Sequence, residues 1–133
     1  MAKQSGLGWT TFSVDDSGGT PVAIKNDITN LQCATPRGVQ DVTGIDKSAN
    51  ERLLLLADVS YTLNGVVNTT VSHAVFKTVP STSVARTVTN VISSQTLAAE
   101  VLFTDYNQTR ATDGAWTWSA PGVLADGTVP AWS

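Results

Sequence analysis

The stretch Glu51 to Gly65 reads Glu-Arg-Leu-Leu-Leu-Leu-Ala-Asp-Val-Ser-Tyr-Thr-Leu-Asn-Gly, and it constrains the fold more than any other part of the chain. Laid out with the period of two that a strand imposes, one face carries Leu53, Leu55, Ala57, Val59, Tyr61 and Leu63. The other carries Arg52, Leu54, Leu56, Asp58, Ser60 and Thr62, so it begins apolar and turns polar halfway. A helix does not fit, because Val59, Tyr61 and Thr62 are strand formers and the polar positions do not recur at 3.6 residues. The pattern predicts a strand sandwiched at Leu54 and Leu56 and facing water from Asp58 onward. Asn64-Gly65 then predicts a type I′ turn, whose two central residues need positive φ.

The rest of the chain supports an all-β reading. With 133 residues, 41% of them hydrophobic, there is material for one domain with a thin core. The 19 Thr and 16 Val favour pleated, half-buried surfaces. Gly8 to Val14 predicts a strand, and Asp15 to Pro21 a turn. Val22 to Ala34 predicts a long strand bent near Asn26-Asp27 and closed by Thr35-Pro36-Arg37-Gly38. Gln40 to Asn50 lacks either period and lies between two strands expected to pair. A loop of that length in a compact β-domain points to function, and Val42 and Ile45 predict that it packs on something. One short helix is expected, with Ser72 as N-cap, Val75, Phe76 and Val79 on one face, and Pro80 ending it. Val84 to Ile92 and Thr96 to Arg110 predict two more strands, before Thr112-Asp113-Gly114 turns the chain into Ala115 to Ser119.

Charge and motifs exclude most chemistry. The formal net charge is −3 and the eight basic residues are scattered singly, so no cationic stripe exists to displace counterions from nucleic acid. No apolar run has the length of a membrane span, and Met1 to Gly6 has no hydrophobic leader, which predicts a soluble protein kept in a cytoplasm. The lone Cys33 excludes an internal disulfide and reads as a small buried hydrophobe on the same face as Leu31. Asp16-Ser17-Gly18-Gly19-Thr20-Pro21 looks like the nucleophile segment of trypsin-like proteases. Those enzymes need two barrels and a base that precedes the serine, whereas the single histidine, His73, follows it. A Gly-rich turn explains the segment. His73 alone builds no zinc site, and Asp15, Asp16 and Asp27 have no calcium-loop spacing. No phosphate-cradling Gly-rich motif occurs. No catalytic, metal or cofactor residue is therefore assigned.

Trp9, Trp116, Trp118 and Trp132 are numerous for so small a β-domain. Buried packing explains any one singly, and a sugar-stacking platform would explain several. For the same-face pair Trp116 and Trp118, and for Trp132, the enrichment of aromatics at contacts between proteins favours a subunit interface.

Asp41-Val42-Thr43-Gly44-Ile45-Asp46, Glu51-Arg52-Leu53, Asp58-Val59-Ser60, Leu63-Asn64-Gly65 and Ser72-His73-Ala74-Val75-Phe76 together resemble the major tail tube proteins of long-tailed, siphovirus-type bacteriophages, in the short form found in phages of actinobacteria. The closing runs Gly114 to Ser119 and Ala125 to Trp132 are similar to the same family's C-terminal end. The resemblance implies an antiparallel β-sandwich or half-barrel with one short flanking helix, six copies to a ring with a continuous inner β-barrel, and rings stacked into a tube through which double-stranded DNA passes without specific binding. It further implies a non-enzymatic virion protein, assembled in the host cytoplasm, whose partners are itself and other tail proteins such as the tape measure and terminator. On that reading Asp41, Val42, Thr43, Ile45, Asp46 and Lys47 of the long loop, with Trp116, Trp118 and Trp132, meet neighbouring subunits. Asp58, Ser60 and Thr62 line the bore. The rival from another class is a β-sandwich binding module, for carbohydrate or for decorating a virion, using surface tryptophans.

Overall fold

A computed structural model describes residues 3–133; Met1 and Ala2, part of the segment read as lacking a leader, lie outside the described residues. Ten strands and one short helix follow the chain: β1 Trp9–Asp15, β2 Pro21–Ala23, β3 Ile28–Ala34, β4 Arg37–Asp41, β5 Arg52–Ala57, β6 Ser60–Val66, α1 Ser72–Phe76, β7 Arg86–Ile92, β8 Gln95–Phe103, β9 Asn107–Arg110 and β10 Trp116–Leu124. Eight strands form one antiparallel sheet in the order β2-β1-β7-β8-β10-β6-β3, with β9 also on β10, while β4 and β5 pair only with each other. Among the described residues no helix is long and apolar enough to cross a membrane.

The large sheet folds over itself. Strands β8 and β10 share only Val101–Phe103 against Gly122–Leu124, and beyond that point β9 replaces β8 beside β10. Four strand spacings separate β1 from β6 in the order, about 19 Å in a flat sheet, yet the rings of Phe12 and Tyr61 lie 6.0 Å apart, edge to face. The core is what the fold encloses: Phe12, Val14, Val88 and Val101 from one half, Tyr61, Leu63, Trp118 and Ala120 from the other, and Val75 and Phe76 from α1. This is the all-β fold with one short helix that the sequence pattern predicts, in the sandwich or half-barrel form that the resemblance implies.

Several local expectations give way. The Glu51–Gly65 stretch is two strands, interrupted at Asp58-Val59. Asn64-Gly65 makes no turn: both residues sit inside β6, opposite Ser119 and Trp118 of β10. Gly65 is there for close packing, since a Cβ would meet the Asp27 carbonyl and the Trp118 ring at 2.8 Å or less. The long strand expected from Val22 is broken by a 3-10 turn at Lys25–Asp27, and Thr96 to Arg110 is split into β8 and β9. Ser72 is not the N-cap of α1. Val71 holds that position without a side-chain bond, and the carboxylate of Asp27 does the work from a distance, accepting from the Ser72 amide at 3.2 Å and from Asn68 Nδ2 at 3.3 Å. A single carboxylate thus ties α1 to the turn before β3.

The hairpin β7–β8 turns through Ser93 and Ser94, both at positive φ (50° and 79°), with Ile92 opposite Gln95. That geometry suits Asn-Gly, because a serine Cβ is crowded there. Replacing Ser93-Ser94 by Asn-Gly is expected to stabilise the fold by about 1 kcal/mol, seen as a higher urea midpoint with unchanged slope. An unchanged or lower midpoint would contradict the assigned turn.

Candidate assembly interface

Strands β4 and β5 leave the body as an arm. Across the bend the pairing keeps its register: Ala34 faces Ser60, the Asp58 amide donates to the Pro36 carbonyl at 3.2 Å, and Arg37 faces Ala57. No residue is gained or lost, so β3–β4 and β5–β6 are one ribbon bent at Thr35-Pro36 and Asp58-Val59. The alternation read over Glu51 to Leu63 is therefore real, but only β6 lies on the core. On the arm both faces are open, and Leu53, Leu54, Leu55 and Leu56 are 56%, 60%, 46% and 91% exposed. Within the protomer Leu54 and Leu56 are not sandwiched, which corrects the expectation that they were. A two-stranded ribbon with no layer beneath it is marginal in water, and an apolar surface of this extent marks a contact site.

The arm is stiffened from within. Arg37 Nε donates to the Leu55 carbonyl at 2.9 Å, and Gly38 lets the Leu55 side chain lie close across the strand pair. At the neck of the tip loop, Thr43 Oγ1 accepts from the Glu51 amide at 2.9 Å and donates to Asp41 Oδ1, which also accepts from the Thr43 amide at 2.9 Å. These bonds, from the hydroxyl first, hold the Asp41 carboxyl below its usual range. All six loop residues named from the sequence, Asp41, Val42, Thr43, Ile45, Asp46 and Lys47, are gathered at the end of the arm. Ile45 is fully exposed there and packs on nothing in its own chain. At the arm's base a groove is lined by Arg37, Leu54 to Ala57 and Val129 of the C-terminal segment.

The tryptophans separate. Trp118 is 2% exposed and packs on Phe76, with ring centroids 5.0 Å apart, and on Tyr106, while its Nε1 donates to the Val66 carbonyl at 3.0 Å. Its side chain belongs to the protomer's core, so its assignment to a subunit contact is corrected. Period two puts Trp116 on the same side, but β10 has left the core by then. Trp116 is about half exposed and donates to Gln108 Oε1 at 2.9 Å. Trp132, also half exposed, bridges to Leu97. Trp9 is half-buried, with Nε1 on Asn90 Oδ1 at 2.7 Å. They form no continuous stacking platform.

The four strands β9, β10, β6 and β3 turn a polar face away from the core. The pairings place Asn107 and Thr109, Ser119 and Thr117, Asn64, Thr62 and Ser60, then Asn30 and Gln32 on that face. It carries hydroxyls and amides and no charge along these positions. Ser60 and Thr62 belong to it, half-buried, and Asp58 lies exposed at the bend beside it.

Other ionisable groups are occupied with structure. Arg86, 2% exposed, donates from Nη1 to the carbonyls of Val75 and Asp15 at 2.9 and 3.1 Å and from Nη2 to Thr78 Oγ1 at 2.9 Å. Burial lowers its pKa, opposed by the carboxylates of Asp16 and Asp15. His73 Nδ1 lies 3.0 Å from the Tyr106 hydroxyl. Burial pushes the Cys33 thiol up, partly offset by the Tyr61 hydroxyl, which gives a poor nucleophile at neutral pH. Among the described residues no three His, Cys, Asp or Glu side chains are placed to hold a metal ion.

The sequence matches no family model and no curated protein. Solved structures do match. A chain from the virion of a native gene transfer agent particle superposes with a TM-score of 0.77 at 12% identity, covering 98% of this chain and 99% of that one. A chain from the tail of an empty gene transfer agent particle, determined with C6 symmetry, gives 0.77 at 15% identity, covering 98% of each. A chain from the 6-fold symmetrised baseplate of the anti-feeding prophage gives 0.65 at 11%, covering all of this chain and 97% of that one. At such identities the likeness establishes a shared fold, end to end. The fold implied by the resemblance to tail tube proteins is the fold observed.

Proposed function

We propose that the chain is a structural subunit of a phage-type tail tube, in which six copies form a ring, rings stack, and the hollow assembly conducts double-stranded DNA during genome delivery. The observation that carries this reading is the arm: a ribbon with leucines bare on both faces, which needs a neighbouring copy to cover it. Burying a leucine side chain contributes about 1.5–3 kcal/mol, so the arm alone offers several kcal/mol per copy for assembly. The shared fold with chains of a C6-symmetric tail and a 6-fold baseplate supports six-membered rings. In this role the chain is a virion tail component with no enzymatic activity, and it meets tape measure and terminator proteins at the tube's ends and within its bore.

The tip residues Asp41, Val42, Thr43, Ile45, Asp46 and Lys47 contact an adjacent subunit, and Trp116 and Trp132 add exposed aromatic surface. Ser60 and Thr62 line the bore together with Asp58. A wall of hydroxyls and amides holds no cations that would capture phosphates, and a chain with a net charge of −3 does not attract the duplex.

Negative-stain microscopy of the purified protein at high concentration is expected to show rings or tubes. Deleting Thr43 to Ser48 is expected to leave a folded monomer that forms neither. A parent chain that stays monomeric at every concentration overturns the proposal, and normal tubes from the deletion overturn the role of the tip.

A further inference from the structure

We infer that the crest of one copy's arm seats in the groove at the base of another copy's arm, with Ile45 among Leu54, Leu56 and Val129 and the carboxylate of Asp46 on the guanidinium of Arg37; this rests on the self-assembly proposed above and names what the tip touches there. The socket is already built in the lone protomer. The groove encloses about 690 Å³ between Arg37, Leu54 to Ala57 and Val129. One wall is the arm itself. The other belongs to the C-terminal segment, which is pinned to β8: Thr96 and Ser133 exchange two backbone bonds of 2.8 and 2.9 Å, Leu97 bridges to Trp132, and the Ala125 amide donates to the Glu100 carbonyl at 2.9 Å. Between these anchors Asp126 Oδ1 accepts from the Thr128 amide at 3.0 Å, so the turn that presents Val129 is shaped before any partner arrives.

Arg37 is the one charged residue lining that groove. Its Nε is spent on the Leu55 carbonyl, which fixes the plane of the guanidinium, while both Nη atoms make no hydrogen bond or ion pair with the described residues. An oriented fork with two free ends beside bare leucines calls for a carboxylate with an apolar neighbour.

The crest of the tip loop supplies that pair. The Lys47 amide donates to the Gly44 carbonyl at 3.1 Å, closing a four-residue turn whose central residues are Ile45 and Asp46. Ile45 stands fully exposed, and Asp46, also exposed, has a carboxylate that accepts no hydrogen bond among the described residues. Asp41, at the neck, is occupied, since it accepts from both the amide and the hydroxyl of Thr43. A copy cannot serve itself. Arg37 and Asp41 are the two ends of β4, about 13 Å apart for a strand of that length, and the crest lies beyond Asp41 on a ribbon whose strands stay paired. The contact is therefore head to tail: each copy gives a crest and takes one through two different patches, and the series runs on from copy to copy.

Charge reversal tests the pairing. Arg37→Glu alone and Asp46→Arg alone each set like charges against one another in the contact, and each is expected to raise the concentration needed for assembly by at least about tenfold. The chain carrying both changes brings opposite signs together again and is expected to assemble within about threefold of the parent's concentration. An equimolar mixture of the two single variants is expected to recover likewise, because each variant's crest then meets a groove of opposite charge in the other. Sedimentation velocity and negative-stain microscopy read the assembly. Tubes from either single variant at the parent's concentration, or loss in both with no recovery in the double variant or the mixture, overturn the pairing and leave the tube standing. A parent chain that never assembles overturns the tube reading, and the pairing with it.

Discussion

A chain carrying Leu54→Asp and Leu56→Asp is expected to fold as the parent does and to form no rings or tubes at any concentration at which the parent assembles. Both side chains are more than half exposed in the protomer, so charging them disturbs no core contact, and surface substitutions of this kind change stability by about 0.5 kcal/mol or less. In the assembly proposed above the same positions would be covered. Each carboxylate must then be desolvated without a partner, at a cost of several kcal/mol, and the loss of apolar burial adds to it. Because the defect is repeated in every subunit, the effect on assembly is all or none. Sedimentation velocity and microscopy read the assembly, and circular dichroism with thermal melting reads the fold. Normal tubes from this variant would show that the arm is not what joins the copies.

The second large effect lies in the core. Trp118→Ala is expected to destabilise the protomer by about 3–5 kcal/mol. It leaves a cavity among Phe76, Tyr106 and Gly65, and it strips the Val66 carbonyl of the indole donor. Trp116→Ala, two residues away, is expected to change the unfolding free energy by about 0.5 kcal/mol or less, because its ring stands half in water and bonds only Gln108. Urea titrations of the two variants separate a core tryptophan from a surface one. Equal losses would place both rings in the same environment and contradict the geometry.

The contrast between these two tryptophans also shows where the chain's pattern is informative. Period two correctly places Trp116 and Trp118 on one side, and Leu97 and Val101 opposite Glu100 and Leu102, because pleating depends only on neighbours along the strand. What lies over that side depends on chain far away in sequence, here α1 and the loop carrying Tyr106, so burial of one ring and exposure of the other was not legible. The same holds for Leu53 to Leu56. Four successive leucines indicate a strand with both faces dry, and the reading of a sandwiched segment followed. The surface that would dry them is not in the protomer. An unbroken apolar run in a chain whose other strands alternate was the available signal that it has no cover within the protomer. Asn64-Gly65 misled for a related reason: the dipeptide carries local turn preference, but Gly65 serves close approach of Trp118, a tertiary demand that overrides it. Asp27 as the cap of α1 was invisible, being 45 residues from the amide it serves. The projecting loop at the tip was legible because a long aperiodic stretch between paired strands has few structural explanations.

The bend at Pro36 and Asp58 has a mechanical meaning. Because the two strands stay paired across the bend, with Ala34 opposite Ser60 and Arg37 opposite Ala57, the projecting half is a lever jointed there rather than a slack tether. In the assembly proposed above, a shift in a copy holding the arm's far end would be carried to β6, and the angle at that joint would set how far the two copies can lean.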